Sequence, residues 1–346
     1  MAYTTINKPG LHFNCKLFTG TGSSNAVTGV GFNPDLVWIK DRGTTYSHTW
    51  TDKVRGTSKE LYSNGTAAEV SYSQGVTSFD SDGFTVGTDA GVNSNGGNKV
   101  SWNWKAGNSA GSSNSNGTIT STVSVNTTAG FSIATYTGNG QTASFGHGLS
   151  TPDIVLIKDR TDAGNEWYFH TTAIDGSEDY LRLNSNGTKS DASSGYSIGA
   201  SVFNLGGAGS WVNVNSKNYV AYSFKEVKGY SKFGSYTGNA NTDGTFIYLG
   251  FRPAWFLVKN TAASENWRIY DNKRDTFNHM YHVLFPNQSS AESTVNNASE
   301  EIDFLSNGVK IRSSAAQLNG SGNTLFYMAF AENPLVGTNG IPTTAK

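Results

Sequence analysis

Two acidic residues near the C-terminus are the strongest candidates for catalysis in this chain. Glu301 and Asp303 lie two positions apart, a spacing that places both carboxyl groups on one face of a strand. Retaining glycosidases need two carboxyl groups about 5–5.5 Å apart across one glycosidic bond. Glycosidases of the lectin-like jelly-roll class follow such a pair with a third carboxylate, but residues 305–307 are Leu, Ser and Asn. We therefore expect a solvated acidic strand edge and a chain that is not an enzyme.

Candidates for metal binding are sparse. His279 and His282 are three positions apart, which on a strand puts them on opposite faces, and no Cys or Glu motif accompanies them. Asp80 and Asp82 resemble the start of a calcium loop, although the Glu that closes an EF-hand at its twelfth position is missing. Calcium at Asp80 and Asp82 stays open beside a plain turn, and no cofactor is expected. The single cysteine, Cys15, is predicted to be buried in a strand.

Aromatic residues near predicted turns and strand ends offer a binding chemistry instead. Flat ring faces stack on sugars, while neighbouring Asn, Asp and Ser side chains can hydrogen-bond the hydroxyl groups. The alternative is that the same rings fill small sandwich cores. The candidate contacts with a glycan or a protein partner are Trp50, Tyr62, Trp167, Trp211 and Trp267, within a wider set that includes Tyr72, Tyr168, Tyr196 and Tyr270.

The composition indicates short strands joined by tight turns. Of 346 residues, 15% are charged, 12% are aromatic and 40 are glycine, against averages of about 25% charged residues and about 7% glycine. The formal net charge is -1 and no run of four Lys or Arg occurs, which argues against a nucleic-acid partner. No stretch approaches the roughly 18 apolar residues of a membrane span, and the first residues lack a signal-peptide pattern. Neither a nucleic acid nor a membrane is expected as a partner.

Three landmarks recur in the same order along the chain. They are a proline-anchored apolar strand (34–42, 152–160, 253–260), a turn containing Leu and Asn (61–66, 183–188, 284–287) and a closing aromatic strand (100–105, 220–225, 326–331). The period of about a hundred residues is far longer than that of a solenoid repeat, so it predicts tandem domains.

Residue periodicity within the copies predicts an all-β fold. Val100, Trp102 and Trp104 alternate with polar residues, as in a half-buried strand. The runs 36–39 and 256–258 are continuously apolar, which predicts central strands covered on both faces. Asn-Gly pairs at 64–65, 186–187 and 307–308 predict hairpin turns with positive φ. The sequence therefore predicts three tandem antiparallel β-sandwich domains of jelly-roll type.

Changes in composition mark the domain boundaries. Residues 1–106 hold an N-terminal arm and the first sandwich, 107–228 a linker and the second, 229–335 the third, and 336–346 a polar tail. The linker is rich in Gly, Ser, Asn and Thr to about residue 130, with room for a short strand at 122–125. The Lys-Asp-Arg sequences at 40–42 and 158–160, which end two apolar strands, predict ion pairs at a sheet edge.

Several strings of the chain resemble a family of tailed-phage virion proteins from marine bacteria and cyanobacteria. They are residues 1–10, 77–84, 101–106, 128–133 and 251–255. The family's domain is uncharacterised, its members are described as virion structural or tail-fibre proteins, and its fold is similar to concanavalin-like and SPRY-like sandwiches. The resemblance covers almost the whole chain and brings no catalytic or binding residues with it.

The resemblance implies a non-enzymatic structural protein on the exterior of a phage virion, assembled in the host cytoplasm. The first hypothesis is a tail appendage or fibre component that contacts the host surface. The alternatives are a capsid decoration or cement protein that stabilises the head, and a carbohydrate-binding or glycosidase-like protein. The expected partners are other virion proteins, including further copies of the chain, and a host surface glycan. Tyr3, Ile6 and Pro9 form a candidate assembly arm that adds a strand to a neighbour, and deleting residues 1–10 is expected to leave the sandwiches folded.

Overall fold

The regular secondary structure of the chain is almost entirely β-strand. The computed structural model describes residues 2–192, 195–207, 210–294 and 299–342, and 43% of the chain is strand against 3% helix. The helical elements are a 3-10 turn (Pro9–Leu11), α1 (Ala90–Asn93) and α2 (Ala316–Asn319). Over the described residues, no helix has the length and apolar character needed to cross a membrane.

The strands fall into three consecutive groups. The first group is β1 (Phe13–Thr19), β2 (Asn25–Thr28), β3 (Leu36–Asp41), β4 (Thr49–Asp52), β5 (Lys59–Tyr62), β6 (Val70–Ser71), β7 (Val76–Asp80), β8 (Gly83–Val86) and β9 (Asn98–Trp104). The second group is β10 (Ser112–Asn114), β11 (Ser121–Asn126), β12 (Phe131–Thr137), β13 (Ser144–Gly146), β14 (Ile154–Asp159), β15 (Trp167–Thr171), β16 (Asp179–Arg182), β17 (Ser190–Asp191), β18 (Tyr196–Ile198), β19 (Val202–Leu205) and β20 (Asn218–Phe224). The third group is β21 (Ser231–Thr237), β22 (Phe246–Tyr248), β23 (Phe251–Asn260), β24 (Arg268–Asp271), β25 (Ile302–Leu305), β26 (Gly308–Ile311) and β27 (Thr324–Pro334).

Each group forms a larger and a smaller antiparallel sheet with the same topology. The larger sheets have the orders β1-β9-β3-β4-β5-β6, β10-β11-β12-β20-β14-β15-β16-β17 and β21-β27-β23-β24. The smaller sheets have the orders β2-β8-β7, β13-β19-β18 and β22-β26-β25. In each larger sheet an early strand of the group (β1, β12 or β21) pairs with the strand that comes last in the group (β9, β20 or β27). That last strand pairs in turn with the proline-anchored strand (β3, β14 or β23). In the second group, β10 and β11 extend the sheet beyond β12. The prediction of an all-β fold of three antiparallel sandwiches is confirmed.

The three larger sheets pack against one another through a shared core. Each smaller sheet covers the opposite face of its own larger sheet and encloses a separate apolar cluster. The shared core is rich in aromatic side chains from all three groups, among them Phe13, Trp38, Trp102, Trp104, Phe131, Trp167, Tyr222, Phe224, Trp255, Trp267 and Phe330. The three sandwiches are therefore not separate along the chain, because their larger sheets pack together and share one core.

Main-chain hydrogen bonds close the three sandwiches into a ring. In each case a main-chain N–H of one sandwich donates to a carbonyl oxygen of another sandwich. The acceptor is the residue that directly follows the proline-anchored strand β3, β14 or β23. The pairs are Glu69 N–H to Arg160 O (3.0 Å), Lys189 N–H to Thr261 O (2.9 Å) and Glu292 N–H to Arg42 O (2.8 Å). They join the first sandwich to the second, the second to the third and the third to the first.

The shared core changes the burial expected for the closing strands. The prediction of a half-buried strand at residues 100–105 is wrong, because Ser101 and Asn103 are as fully buried as Trp102 and Trp104. The tryptophans enter the shared core, while the polar pair faces the other way, toward the smaller sheet of the first sandwich. Asn103 Nδ2 donates to Ser101 Oγ at 3.0 Å, which satisfies part of this buried polar surface. The continuous burial expected for the runs 36–39 and 256–258 is confirmed.

The Lys-Asp-Arg sequences do not lie at a sheet edge. β3 runs between β9 and β4, and β14 runs between β20 and β15, so both are central strands. Lys40 and Lys158 are buried, and their amino groups donate to the carbonyl oxygens of Asp41 and Asp159 at 2.7 and 2.8 Å. Burial lowers the pKa of each lysine to about 8. Asp41 pairs with Lys99 inside the first sandwich, whereas Arg42 and Arg160 form ion pairs with Glu292 and Glu69 of other sandwiches.

Two local predictions also need correction. Residues 107–130 are not a simple linker, because β10 and β11 extend the second larger sheet, although β11 confirms the expected short strand. None of Gly65, Gly187 and Gly308 has a positive φ. The positive φ of a hairpin instead occurs at Gly83, where an added Cβ would collide with the Val27 carbonyl oxygen.

The turn landmark of the second copy is offset by two residues from the sequence alignment. In each sandwich an Asn side chain accepts a hydrogen bond from a main-chain N–H. The donor lies at or directly before the first residue of β4, β15 or β24. The pairs are Asn64 with His48 (2.8 Å), Asn184 with Trp167 (2.9 Å) and Asn287 with Trp267 (3.1 Å). Asn64 therefore corresponds to Asn184 and not to Asn186.

Candidate functional site

Three of the five predicted aromatic contacts are core residues. Trp50, Trp167 and Trp267 are buried and belong to the shared core, so they present no ring face to a glycan. The Trp167 indole donates to the Tyr62 carbonyl oxygen at 2.9 Å, and the Trp267 indole donates to the Arg182 carbonyl oxygen at 3.0 Å. Both bonds cross between sandwiches. The alternative role of these rings as core packing is the one that the structure supports.

Tyr62 is half-buried and makes a polar contact within the first sandwich. Its hydroxyl donates to Glu60 Oε2 at 3.0 Å, and its carbonyl oxygen receives the Trp167 indole. Both polar ends of Tyr62 are therefore already engaged within the chain.

Trp211 is the one predicted contact that lies open at the surface. It is 51% exposed and borders a cavity of about 170 Å³ between the sheets of the second sandwich. Its indole lies parallel to the Tyr168 ring, with centroids 5.6 Å apart and 5° between the planes. We call this cavity the aromatic pocket, and its lining residues are Tyr168, His170, Tyr180, Asp191, Tyr196, Trp211 and Val212.

Strand alternation explains how β15 serves the core and the pocket together. Trp167 and Phe169 belong to the shared core, whereas Tyr168 and His170 alternate with them and line the pocket. Tyr180 of β16 lies directly across from His170 in the antiparallel register. Burial raises the pKa of Tyr168 to about 12, so its phenol remains a hydrogen-bond donor at neutral pH.

His170 is the most unusual group in the pocket. It is 2% exposed, and neither ring nitrogen has a hydrogen-bond partner among the residues that the structure describes. Its ring lies 5.5 Å from Tyr196 at 29° and meets the Phe203 ring edge-on at 4.9 Å. The nearest carboxylate oxygen, Glu178 Oε1, is 3.7 Å from Nδ1, which is too long for a hydrogen bond.

A charged cluster forms the rim of the pocket. Asp191 receives a hydrogen bond from the Lys189 amino group at 3.2 Å. The same amino group donates to Asp175 at 2.8 Å and to Asp179 at 2.7 Å. The negative charge of Asp191 is therefore partly balanced by Lys189.

The third sandwich fills the equivalent positions with its own side chains. The strand register matches Tyr168 and His170 with Arg268 and Tyr270. Arg268 donates to Glu300 Oε2 at 2.7 Å, and the Tyr270 hydroxyl donates to the Glu300 carbonyl oxygen at 2.9 Å. These polar groups satisfy one another, whereas His170 in the second sandwich has no hydrogen-bond partner among the residues that the structure describes.

The sequence pattern at Glu301 and Asp303 does not form a carboxylate pair open to substrate. Both oxygens of Asp303 are occupied, one by His279 Nδ1 at 2.6 Å and the other by Arg312 Nε at 2.6 Å. Asp303 is buried in β25, and Glu301 precedes the strand. The solvated acidic edge expected here is wrong for Asp303.

The candidate metal residues are engaged within the chain. His279 pairs with Asp303 and His282 pairs with Asp275. Asp80 accepts from Ser78 Oγ and Thr85 Oγ1 at 2.8 and 2.7 Å. Throughout the described ranges, no group of three His, Cys, Asp or Glu is placed to hold a metal ion.

The Asp82 carboxylate caps main-chain donors of a neighbouring turn. It accepts the N–H groups of Gly29 and Gly31 at 2.9 and 2.7 Å. These bonds favour the ionised carboxylate and lower the pKa of Asp82. The Asp80-Ser81-Asp82-Gly83 turn is thus held by hydrogen bonds of the chain itself. Cys15 is buried in β1, as expected.

The N-terminal segment folds back on its own chain. Of residues 1–10, the structure describes 2–10, and Ile6 and Pro9 are buried, Ile6 within the shared core. The Tyr3 hydroxyl donates to the Gly250 carbonyl oxygen at 2.8 Å. The structure therefore places Tyr3, Ile6 and Pro9 against their own chain and does not hold them out as an extended arm.

Part of the pocket could not be predicted from the sequence. Trp211 is a predicted contact, and Tyr168 and Tyr196 belong to the wider aromatic set, but His170 and Tyr180 are not predicted binding residues. The alternation of Tyr168 and His170 on a strand is a usable signal that both share one face. The sequence does not show that Tyr180 pairs opposite His170, or that the imidazole has no hydrogen-bond partner among the described residues.

The fold and the pocket define an all-β protein of three fused sandwiches with one open aromatic cavity. Residues 8–334 match the family described as Domain of unknown function (DUF7483), and the chain belongs to this family. Comparisons with curated proteins and with solved structures give no match. The family description carries no activity, so a function must be argued from the geometry.

Proposed function

We propose that the chain is a non-enzymatic structural protein on the exterior of a tailed-phage particle, as a tail appendage that contacts the host surface. The observation that carries the proposal is the shared core, which makes three sandwiches one block. Such a block suits a particle surface because sheets buried in a common core resist local unfolding and proteolysis. The sequence resemblance to tailed-phage virion proteins supplies the setting.

Partly buried ion pairs between the sandwiches support the rigidity of this block. Arg160 of the second sandwich contacts Glu69 of the first at 2.9 Å, and Arg42 of the first contacts Glu292 of the third at 2.7 Å. The Trp102 indole also donates to Asp271 Oδ2 of the third sandwich at 3.0 Å. Each of these contacts fixes one sandwich against another.

The engagement of the acidic residues supports a role without catalysis. A retaining glycosidase needs one carboxylate free to attack and one acid free to donate a proton. Asp303 is held by His279 and Arg312, and Glu300 is held by Arg268. We expect the purified chain to leave β-glucans and host polysaccharides intact, and hydrolysis that is lost in Glu301→Gln would overturn this part of the proposal.

The location of the protein in the particle tests the proposal most directly. A map of the virion by electron microscopy, combined with mass spectrometry of purified particles, should place the ring of three sandwiches on the tail. Density on the capsid lattice would replace the tail role with head decoration. Absence of the chain from purified particles would contradict both roles.

A further inference from the structure

We propose that the aromatic pocket of the second sandwich binds one neutral sugar ring of a glycan, held between Trp211 and the hydrogen-bonding nitrogens of His170. The inference rests on the proposed function only for the source of the glycan, the host surface. The binding itself is a property of the purified chain. Its three supports are the exposed ring face, the unpaired buried imidazole and the size of the cavity.

The aromatic rings provide the apolar side of such a site. One face of a pyranose presents C–H groups, which pack against an aromatic ring, while its edges carry hydroxyl groups. Trp211 is half exposed and stacks parallel to Tyr168, so the exposed part of the indole is held in a fixed orientation beside the cavity. Small-molecule sites typically combine such an apolar lining with a few polar groups that fix orientation.

His170 provides the polar groups that fix orientation. A neutral imidazole carries one donor and one acceptor nitrogen, and both are buried and unpaired among the described residues. Leaving buried polar atoms unpaired costs free energy, so a ligand that satisfies them gains affinity. His170 Nδ1 lies on the side of Glu178, 3.7 Å from its Oε1. Sugar hydroxyl groups both donate and accept, so one hydroxyl group can pair with an imidazole nitrogen in either tautomer.

A quaternary ammonium ion is the competing ligand for an aromatic cage. Tyrosine and tryptophan faces attract cations, and Asp191 at the rim adds negative charge. Such a cation, however, can neither donate nor accept a hydrogen bond, so it would leave His170 unpaired. Lys189 pairs with Asp191 at 3.2 Å but also with Asp175 and Asp179, so the rim keeps a net negative charge. The hydrogen-bonding capacity of His170 is therefore the observation that favours a neutral ligand with hydroxyl groups, and a cation is the competing outcome of the test.

The size of the cavity restricts how much of a glycan can enter. At about 170 Å³ it lies below the roughly 300–1,000 Å³ of typical drug-sized sites. A cavity of this volume can hold one sugar ring but not several rings of an oligosaccharide. A single ring binds weakly, and many copies on one particle would raise the overall affinity through avidity.

Ligand-detected NMR on the full-length chain tests the proposal. Saturation transfer is measured to methyl glycosides of glucose, galactose, mannose, fucose and N-acetylglucosamine, and to tetramethylammonium as the cation arm. At least one neutral glycoside should show transfer that Trp211→Ala and His170→Phe each weaken tenfold or more. Phe277→Ala is the matched control, because Phe277 is 84% exposed in the third sandwich, outside the pocket, and this variant should bind as the original chain does.

His170→Phe also separates a binding role from a structural one. The substitution keeps an aromatic ring while removing two unpaired buried nitrogens, so its thermal midpoint should equal or exceed that of the original chain. Lost sugar transfer with a retained midpoint supports the proposal. Transfer to no neutral glycoside, transfer to tetramethylammonium alone, or glycoside transfer unchanged in both pocket variants would overturn it. None of these outcomes depends on where the chain lies in a particle, so failure here is distinguishable from failure of the proposed function.

Discussion

Glu60 is a carboxyl group enclosed between the two sheets of the first sandwich. It is 1% exposed, Oε1 has no partner among the described residues, and Oε2 accepts from the Tyr62 hydroxyl. Burial, with a smaller contribution from the negative charge of Asp89, raises the pKa of Glu60 from 4.5 to about 7. The folded chain therefore holds this proton more tightly than the unfolded chain does.

We expect Glu60→Gln to remove a pH dependence of stability. Between about pH 4.5 and 7 the folded state binds more protons than the unfolded state, so the Glu60 contribution falls as the pH rises. The variant should match the original chain near pH 4 and exceed its unfolding free energy at pH 8 by on the order of 1–3 kcal/mol. Urea unfolding at several pH values measures the difference, and a difference that stays constant across this range would contradict the account.

Two tryptophans with opposite burial should respond very differently to truncation. Trp167 fills the shared core and donates to the Tyr62 carbonyl oxygen, so Trp167→Ala should destabilise the chain by about 3–5 kcal/mol. Trp211 is half exposed, so Trp211→Ala should change stability by less than about 1 kcal/mol. Chemical denaturation measures both, and equal losses would argue against the assignment of Trp167 to the core and Trp211 to the pocket.

At the scale of elements, two equivalent ion-pair networks hold the sandwich contacts. In the first sandwich Arg55 contacts Asp52 and Glu69, and Arg160 of the second sandwich completes the network. In the third sandwich Arg274 contacts Asp271 and Glu292, and Arg42 of the first sandwich completes it. Where the second sandwich meets the third, Lys189 and Thr261 occupy the corresponding positions.

We expect loss of one network carboxylate to cost far more than loss of a surface one. Glu292→Gln leaves the buried Arg274 and the half-buried Arg42 with a weakened partner, so it should destabilise the chain by about 3–5 kcal/mol. The control is Asp162→Asn, which removes a solvent-exposed pair with Lys217 and should cost less than about 1 kcal/mol. Similar losses in both variants, measured by urea unfolding, would mean that the network contributes little.

The strands could be predicted from the sequence, but the packing of the three larger sheets against one another could not. Alternation and apolar runs predict strands from adjacent residues, which is why β3, β9, β14 and β23 follow from the sequence. The burial of Ser101 depends on other sheets that lie far away in the chain, and no local period records them. For the same reason the aromatic side chain of Trp167 looked like a binding platform, whereas the unpaired imidazole of His170 had no sequence signature.

At the scale of the whole molecule, the N-terminal segment belongs to the folded block. Ile6 lies in the shared core and Tyr3 bonds to Gly250 of the third sandwich. Deleting residues 2–10 should therefore lower the stability of the chain, contrary to the expectation of a dispensable arm. A thermal midpoint unchanged by the deletion would show that these contacts contribute little.

The central claim is that three sandwiches form one cooperative unit. Chains of independent domains unfold in separate steps, whereas a core buried in common couples the unfolding of its parts. Removing one sandwich would expose the aromatic faces of the other two, since Phe131, Trp255 and Trp104 pack in the same cluster. The chain should therefore resist partial unfolding until all three sandwiches open together.

Differential scanning calorimetry of the full chain measures this cooperativity. We expect a single transition whose van't Hoff enthalpy equals its calorimetric enthalpy, the signature of a two-state unit. Two or three resolved transitions, or a calorimetric enthalpy that is two or three times the van't Hoff value, would show that the sandwiches unfold independently and would contradict it.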